Sequence, residues 1–108
     1  MSKLAQISPE EASRRIQSTQ PPRIIDVREP EEWDIFHLPG AELLPLSTWP
    51  EAAETLTRFD EPLLMVCHHG VRSEHAAEFL LARGFTDVTN LAGGLHAWAL
   101  QVDPTMAC

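Results

Sequence analysis

Cys67, His68, His69, Gly70, Val71, Arg72 and Ser73 put a thiol, two imidazoles, a guanidinium and a hydroxyl into one short segment. A thiol works as its thiolate, and an ordinary cysteine with a pKa of about 8.5 is only about 3% ionised at neutral pH. A helix N-terminus or a cationic neighbour can lower that pKa to about 3.5–7.5. Arg72 is one such neighbour, and His68 and His69 add to it when protonated. The chemistry expected of Cys67 is therefore nucleophilic. The competing reading, a buried structural cysteine, does not account for Cys, Gly and Arg meeting in one loop.

The flanking residues say how the thiol is held. Leu63 to Cys67 is an unbroken apolar run, the pattern of a strand buried on both faces. His68 to Arg72 form a loop around Gly70. Ser73 has the chemistry of an N-cap, Glu74 suits the positive end of a helix, and Gly84 suits the position just past its end. Ala76, Ala77, Leu80 and Leu81 share one helical face. Strand, Cys, tight loop and helix follow in that order. The loop amides and the first helical turn can then form an anion site around the sulfur.

The rest of the chain supplies alternating strands and helices. Ser8-Pro9-Glu10-Glu11 opens a helix with a capping box and ends it before Pro21 and Pro22. Arg23 to Val27 is a short strand. Asp26 and Arg28 lie at its C-terminal end, the end that lines the ligand crevice of a parallel sheet, and are expected to brace the Cys67 loop. Glu29 to Trp33 is one helical turn, with Trp33 assigned to the core. His37-Leu38-Pro39-Gly40-Ala41 reads as a type II turn in which His37 bonds backbone. Leu43 to Leu46 is an edge strand, and Thr48-Trp49-Pro50-Glu51 opens a helix to about Arg58. Phe85 to Leu91 contains a strand around Val88, and Gly93-Gly94 turns into a last helix near Leu95 to Leu100. This alternation predicts an α/β three-layer domain whose central, mainly parallel sheet has about five short strands.

These segments resemble the rhodanese (sulfurtransferase) family. CHHGVRS is similar to the family's active-site loop, IIDVREPEEW to its Asp-Val-Arg segment, HLPGA to its His-x-Pro-Gly-Ala turn and GFTDVTNLAGGLHAW to its Gly-Gly-x-x-Ala-Trp end. The matches keep the family's order across roughly residues 5 to 100. Phe36 departs from the family's usual Gly before the His, and Cys108 is no family feature. The resemblance implies transfer of sulfane sulfur through a Cys67 persulfide. The donor would be thiosulfate or another persulfide, and the acceptor cyanide, a thiol or a protein. His68 to Ser73 would bind the substrate and Arg72 would orient an anionic donor. A partner-dependent persulfide carrier or regulatory module is the alternative. A cysteine phosphatase or arsenate reductase uses five residues between Cys and Arg. Here there are four, a loop too small for phosphate.

Composition limits the rest. The 108 residues predict one domain, with a core over about 5–100 and a loose tail over 102–108. The formal charge of −8 excludes nucleic acid and anionic membrane as partners. Neither a secretion signal nor a membrane span is legible, and a free thiol fits the reducing cytoplasm. No cofactor and no metal are expected. Adjacent loop residues rarely converge on one tetrahedral ion, no paired Cys spacing exists, and His75 and His96 read as exposed helix residues. Cys108 reads as an incidental terminal thiol, with a sulfur relay to Cys67 as the other possibility.

Overall fold

The structure, a computed structural model, describes residues 4–106. Five strands form one wholly parallel sheet: β1 (Ala5–Ile7), β2 (Arg23–Asp26), β3 (Glu42–Leu43), β4 (Leu63–Val66) and β5 (Val88–Leu91), in the order β1-β5-β4-β2-β3. Helices α1 (Pro9–Ile16), α2 (Pro30–Ile35), α3 (Val71–Ala82) and α4 (Gly94–Gln101) fill the connections. The α/β architecture with a central parallel sheet of five short strands is the one the alternating pattern predicts.

Strand β4 is central and apolar throughout because both of its faces are covered. Leu63, Met65 and Cys67 point into a core closed by Ala76, Ala77 and Leu80 of α3, with Ala53, Leu56 and Phe85. Leu64 and Val66 point the other way, into a core closed by Ala12 of α1 and Leu95 and Trp98 of α4. Period-two alternation on two buried faces yields the continuous run seen in the sequence.

Local signals hold at several positions. The Ser8 side chain accepts from the Glu11 amide at 3.1 Å, and Pro9 occupies the first turn of α1. The Ala41 amide donates to the Leu38 carbonyl at 3.1 Å across the Pro39-Gly40 turn.

Several readings change. The Thr48–Arg58 segment is two short 3-10 pieces, Leu46–Thr48 and Glu51–Thr55, and not an α-helix. Ala53 and Leu56 are its only fully buried apolar residues, with Trp49 partly buried against the same core, too few to hold a longer amphipathic helix. Strand β1 escapes the sequence reading because two of its three residues are exposed. Trp33 is half-buried outside the core and stacks on His37, centroids 3.6 Å apart, while His37 Nδ1 meets the Trp33 carbonyl at 3.0 Å. Residues 102–106, read as a loose tail, turn back on α4. The Val102 amide donates to the Trp98 carbonyl at 2.8 Å, and Val102 and Met106 pack on the second core. Cys108 lies outside the described residues.

Candidate active site

Cys67 follows β4 directly, and Asp26 ends the neighbouring β2. The two strands are parallel, with Asp26 in register with Val66. Both residues therefore reach the C-terminal edge of the sheet, where ligands bind in open α/β folds.

Cys67 is almost fully buried, at 1% exposure, and its sulfur meets three donors. The Gly70 amide lies 3.1 Å from Cys67 Sγ, and the Ser73 amide and hydroxyl each lie 3.3 Å from it. Negative charge on the sulfur is stabilised by such donors. The amides of His69, Val71 and Arg72 bond no protein group among the described residues. They remain available to an atom bound beyond the sulfur.

Ser73 takes a different place from the one its residue type suggests. The N-cap of α3 is Gly70, with φ +93°, a left-handed conformation that glycine adopts without steric cost. Ser73 sits three positions in, buried, facing the sulfur. Its hydroxyl also lies 2.6 Å from Asn90 Oδ1. Asn90 is a site residue the sequence reading missed. Its Nδ2 donates to the Gly70 carbonyl and to Gln6 Oε1, each at 3.0 Å, so β5 and β1 both hold the loop. A polar residue in the buried strand Val88–Leu91 is the signal that could have found it.

A second brace crosses from β2 to α3. Asp26 and Arg28 are buried and paired. Arg28 Nε lies 3.0 Å from Oδ1 and 3.1 Å from Oδ2, and its terminal nitrogen lies 2.9 Å from Oδ2. Arg28 also donates to the carbonyls of Glu32 and Phe36, at 3.3 and 2.8 Å. That fixes α2, and α2 presents Glu32 to Arg72 in a two-pronged ion pair, both contacts 2.7 Å. Asp26 and Arg28, expected to brace the loop, contact α2, and Glu32 of α2 in turn contacts Arg72. Arg72, expected to act as a cationic neighbour of the thiol, pairs with Glu32 and also interacts electrostatically with Cys67. Nothing in the sequence around Glu32 marks it for that role.

The pair makes a pH prediction. Hydrogen bonding from Arg72 outweighs burial and holds the Glu32 carboxyl at about 2, below its ordinary 4.5. A depressed carboxyl stabilises the fold above its unfolded pKa and stops doing so as pH falls through the folded one. The melting-temperature gap between the native chain and Glu32→Gln should therefore be constant above pH 4.5 and shrink between 4.5 and about 2. A gap that grows on acidification would contradict the pairing.

His68 is half-buried and His69 exposed at the rim of the loop. Burial first, then repulsion from His69 and His96, shifts His68 toward the neutral form. Beside it Arg28, Glu32, Ile35, Phe36 and His68 line a hollow of about 190 Å³. The loop is pressed onto the start of α4. The Leu95 amide donates to the Cys67 carbonyl and the His96 amide to the His68 carbonyl, each at 2.9 Å. Gly94 permits the approach, because a Cβ there would fall 2.4 Å from the His68 carbonyl oxygen and 2.5 Å from that of Cys67.

The fold thus places one cysteine, in a strand-to-helix loop, at the C-terminal edge of a parallel α/β sheet. The Rhodanese-like domain model matches residues 8–101, and the chain belongs to that family. The chain is 39% identical over 102 residues to the probable adenylyltransferase/sulfurtransferase MoeZ of Mycobacterium tuberculosis, covering 93% of this chain and 26% of that protein. It thus spans about a quarter of that relative. It is 37% identical to the thiosulfate sulfurtransferase GlpE of Pseudoalteromonas translucida, covering 69% of this chain and 70% of that one. Among solved structures, a rhodanese-like domain protein from Staphylococcus aureus superposes with a TM-score of 0.81 at 35% identity, covering 88% of this chain and 91% of its own.

Proposed function

We propose that the chain moves sulfane sulfur through a persulfide on Cys67. The observation that carries this is one buried sulfur met by the Gly70 and Ser73 amides, with the His69, Val71 and Arg72 amides free around it. In the first half-reaction the Cys67 thiolate attacks the outer sulfur of thiosulfate. A new S–S bond forms, the old one breaks, and sulfite leaves with its electron pair. The free amides receive the terminal persulfide sulfur, as an oxyanion hole receives developing charge. In the second half-reaction cyanide or a thiolate attacks that terminal sulfur and Cys67 leaves as thiolate. One covalent intermediate divides the transfer in two, so ping-pong kinetics follow. Asp26 and Arg28 hold the frame, and Arg72, tied to Glu32, shapes the mouth.

A second reading, a carrier that takes or delivers sulfur with a protein, is favoured by the apolar rim. Ile35, which lines the hollow beside His68, is 71% exposed, and Val71, next to the loop, is 58% exposed. One experiment addresses both readings. The purified chain is incubated with thiosulfate, or with a small-molecule persulfide, and its intact mass is measured before cyanide is added. Gain of one sulfur on Cys67 from thiosulfate, followed by thiocyanate formation, supports the enzyme. Gain from the persulfide alone supports the carrier. No gain from either donor overturns both.

A further inference from the structure

His68 and His69 come from the loop and His96 from α4, yet their rings converge. The centroids are 4.2 Å apart for His68–His69, 5.2 Å for His69–His96 and 6.0 Å for His68–His96. One nitrogen from each ring lies within 4.8 Å of the other two. A tetrahedral ion with M–N bonds of about 2.0–2.1 Å needs nitrogens about 3.4 Å apart, within reach of side-chain rotation.

Several features separate this group from a chance surface cluster. No hydrogen bond to a protein group occupies any of the three imidazoles, among the described residues. His37, in contrast, is bonded to the Trp33 carbonyl and stacked on its ring. The two segments that carry the rings are joined by main-chain bonds, Leu95 to Cys67 and His96 to His68. Gly94 lets them approach. Ligand placement is thus set by the backbone before any ion arrives. The formal charge of −8 also draws cations to the surface.

We propose that His68, His69 and His96 form a binding site for one borderline divalent cation of the Zn²⁺ or Cu²⁺ class. Imidazole suits these ions, whereas Mg²⁺ and Ca²⁺ require oxygen donors. Three protein ligands leave a fourth position open. Adjacent loop residues supply only two of the ligands; the third arrives from a helix about thirty residues later, a placement set by the fold. The site needs no thiol, although His68 and His69 also belong to the loop that surrounds the Cys67 sulfur.

The test uses the untagged full chain carrying Cys67→Ser and Cys108→Ser, so that no thiolate can bind metal. Zn²⁺ is titrated calorimetrically, and Co²⁺ is added as a spectroscopic probe. The expected result is one ion per chain, with tetrahedral Co²⁺ d–d bands and no thiolate charge-transfer band. His96→Ala in that background should weaken Zn²⁺ binding by more than about 100-fold, since losing even a group that only hydrogen-bonds a ligand costs about 10–100-fold. It should leave the thermal melt intact, because His96 is exposed and meets the loop through its backbone. His75→Ala, on the exposed side of α3, should change nothing. Absence of saturable Zn²⁺ binding, binding untouched by His96→Ala, or equal loss with His75→Ala would overturn the proposal.

Discussion

Cys67→Ser should abolish thiosulfate-to-cyanide transfer, a loss of at least about 10⁴-fold in turnover, while the chain still folds. A hydroxyl is a far weaker nucleophile than a thiolate, and it cannot form a persulfide. The fold should survive because serine oxygen accepts the same amide hydrogen bonds from Gly70 and Ser73 that sulfur accepts. A contrast variant isolates the surroundings from the nucleophile. Ser73→Ala keeps the sulfur and the amides but removes one donor 3.3 Å from it. Loss of one preorganised donor costs about 10²–10³-fold, so this variant should remain measurably active. Thiocyanate formation under steady-state conditions measures both. Transfer that persists in Cys67→Ser would remove this residue from the reaction.

Asp26→Ala should cost about 3–5 kcal/mol of stability, because it leaves the Arg28 guanidinium buried without its counter-charge. Both side chains are about 1% exposed, and Asp26 also accepts the Arg28 backbone amide at 3.0 Å. No other carboxylate bonds Arg28 among the described residues; its remaining partners are the Glu32 and Phe36 carbonyls. Urea unfolding would show the loss as a lower midpoint. The double variant Asp26→Leu with Arg28→Met should be more stable than Asp26→Ala, since an apolar replacement removes the stranded charge. Its turnover should still fall, because α2 would lose the anchor that presents Glu32 to Arg72. A midpoint for Asp26→Ala within experimental error of the native chain would refute the buried-pair argument.

The sequence made the centre of the fold readable and the periphery much less so. Strand β4, its loop and α3 are legible because a doubly buried strand must be apolar and a helix stop favours Gly84. The anion-site reading of the loop follows from main-chain geometry, which depends little on partners elsewhere. Contacts that join distant segments leave no local trace. Glu32 and Arg72 are far apart in the chain, and each alone is an ordinary surface charge. His96 meets His68 only because α4 docks on the loop. Ser73 misleads because a hydroxyl before a helix is usually a cap, yet Gly70 starts the helix three residues earlier. Strand β1 has one buried residue, too little pattern to register.

The hydrogen-bond arrangement around Ser73 carries a consequence for how the two states of the sulfur differ. A hydroxyl has one proton to give, but two acceptors stand beside it, Cys67 Sγ at 3.3 Å and Asn90 Oδ1 at 2.6 Å. Asn90 cannot offer its amide nitrogen instead, because that group is held by the Gly70 carbonyl and Gln6. With a neutral thiol the proton belongs to Asn90, and the thiol hydrogen can point to the serine oxygen. With a thiolate the serine proton swings to sulfur and Asn90 loses its donor. The charge state of Cys67 is thereby registered on an asparagine carbonyl of the neighbouring strand β5, where a side-chain amide resonance would report it.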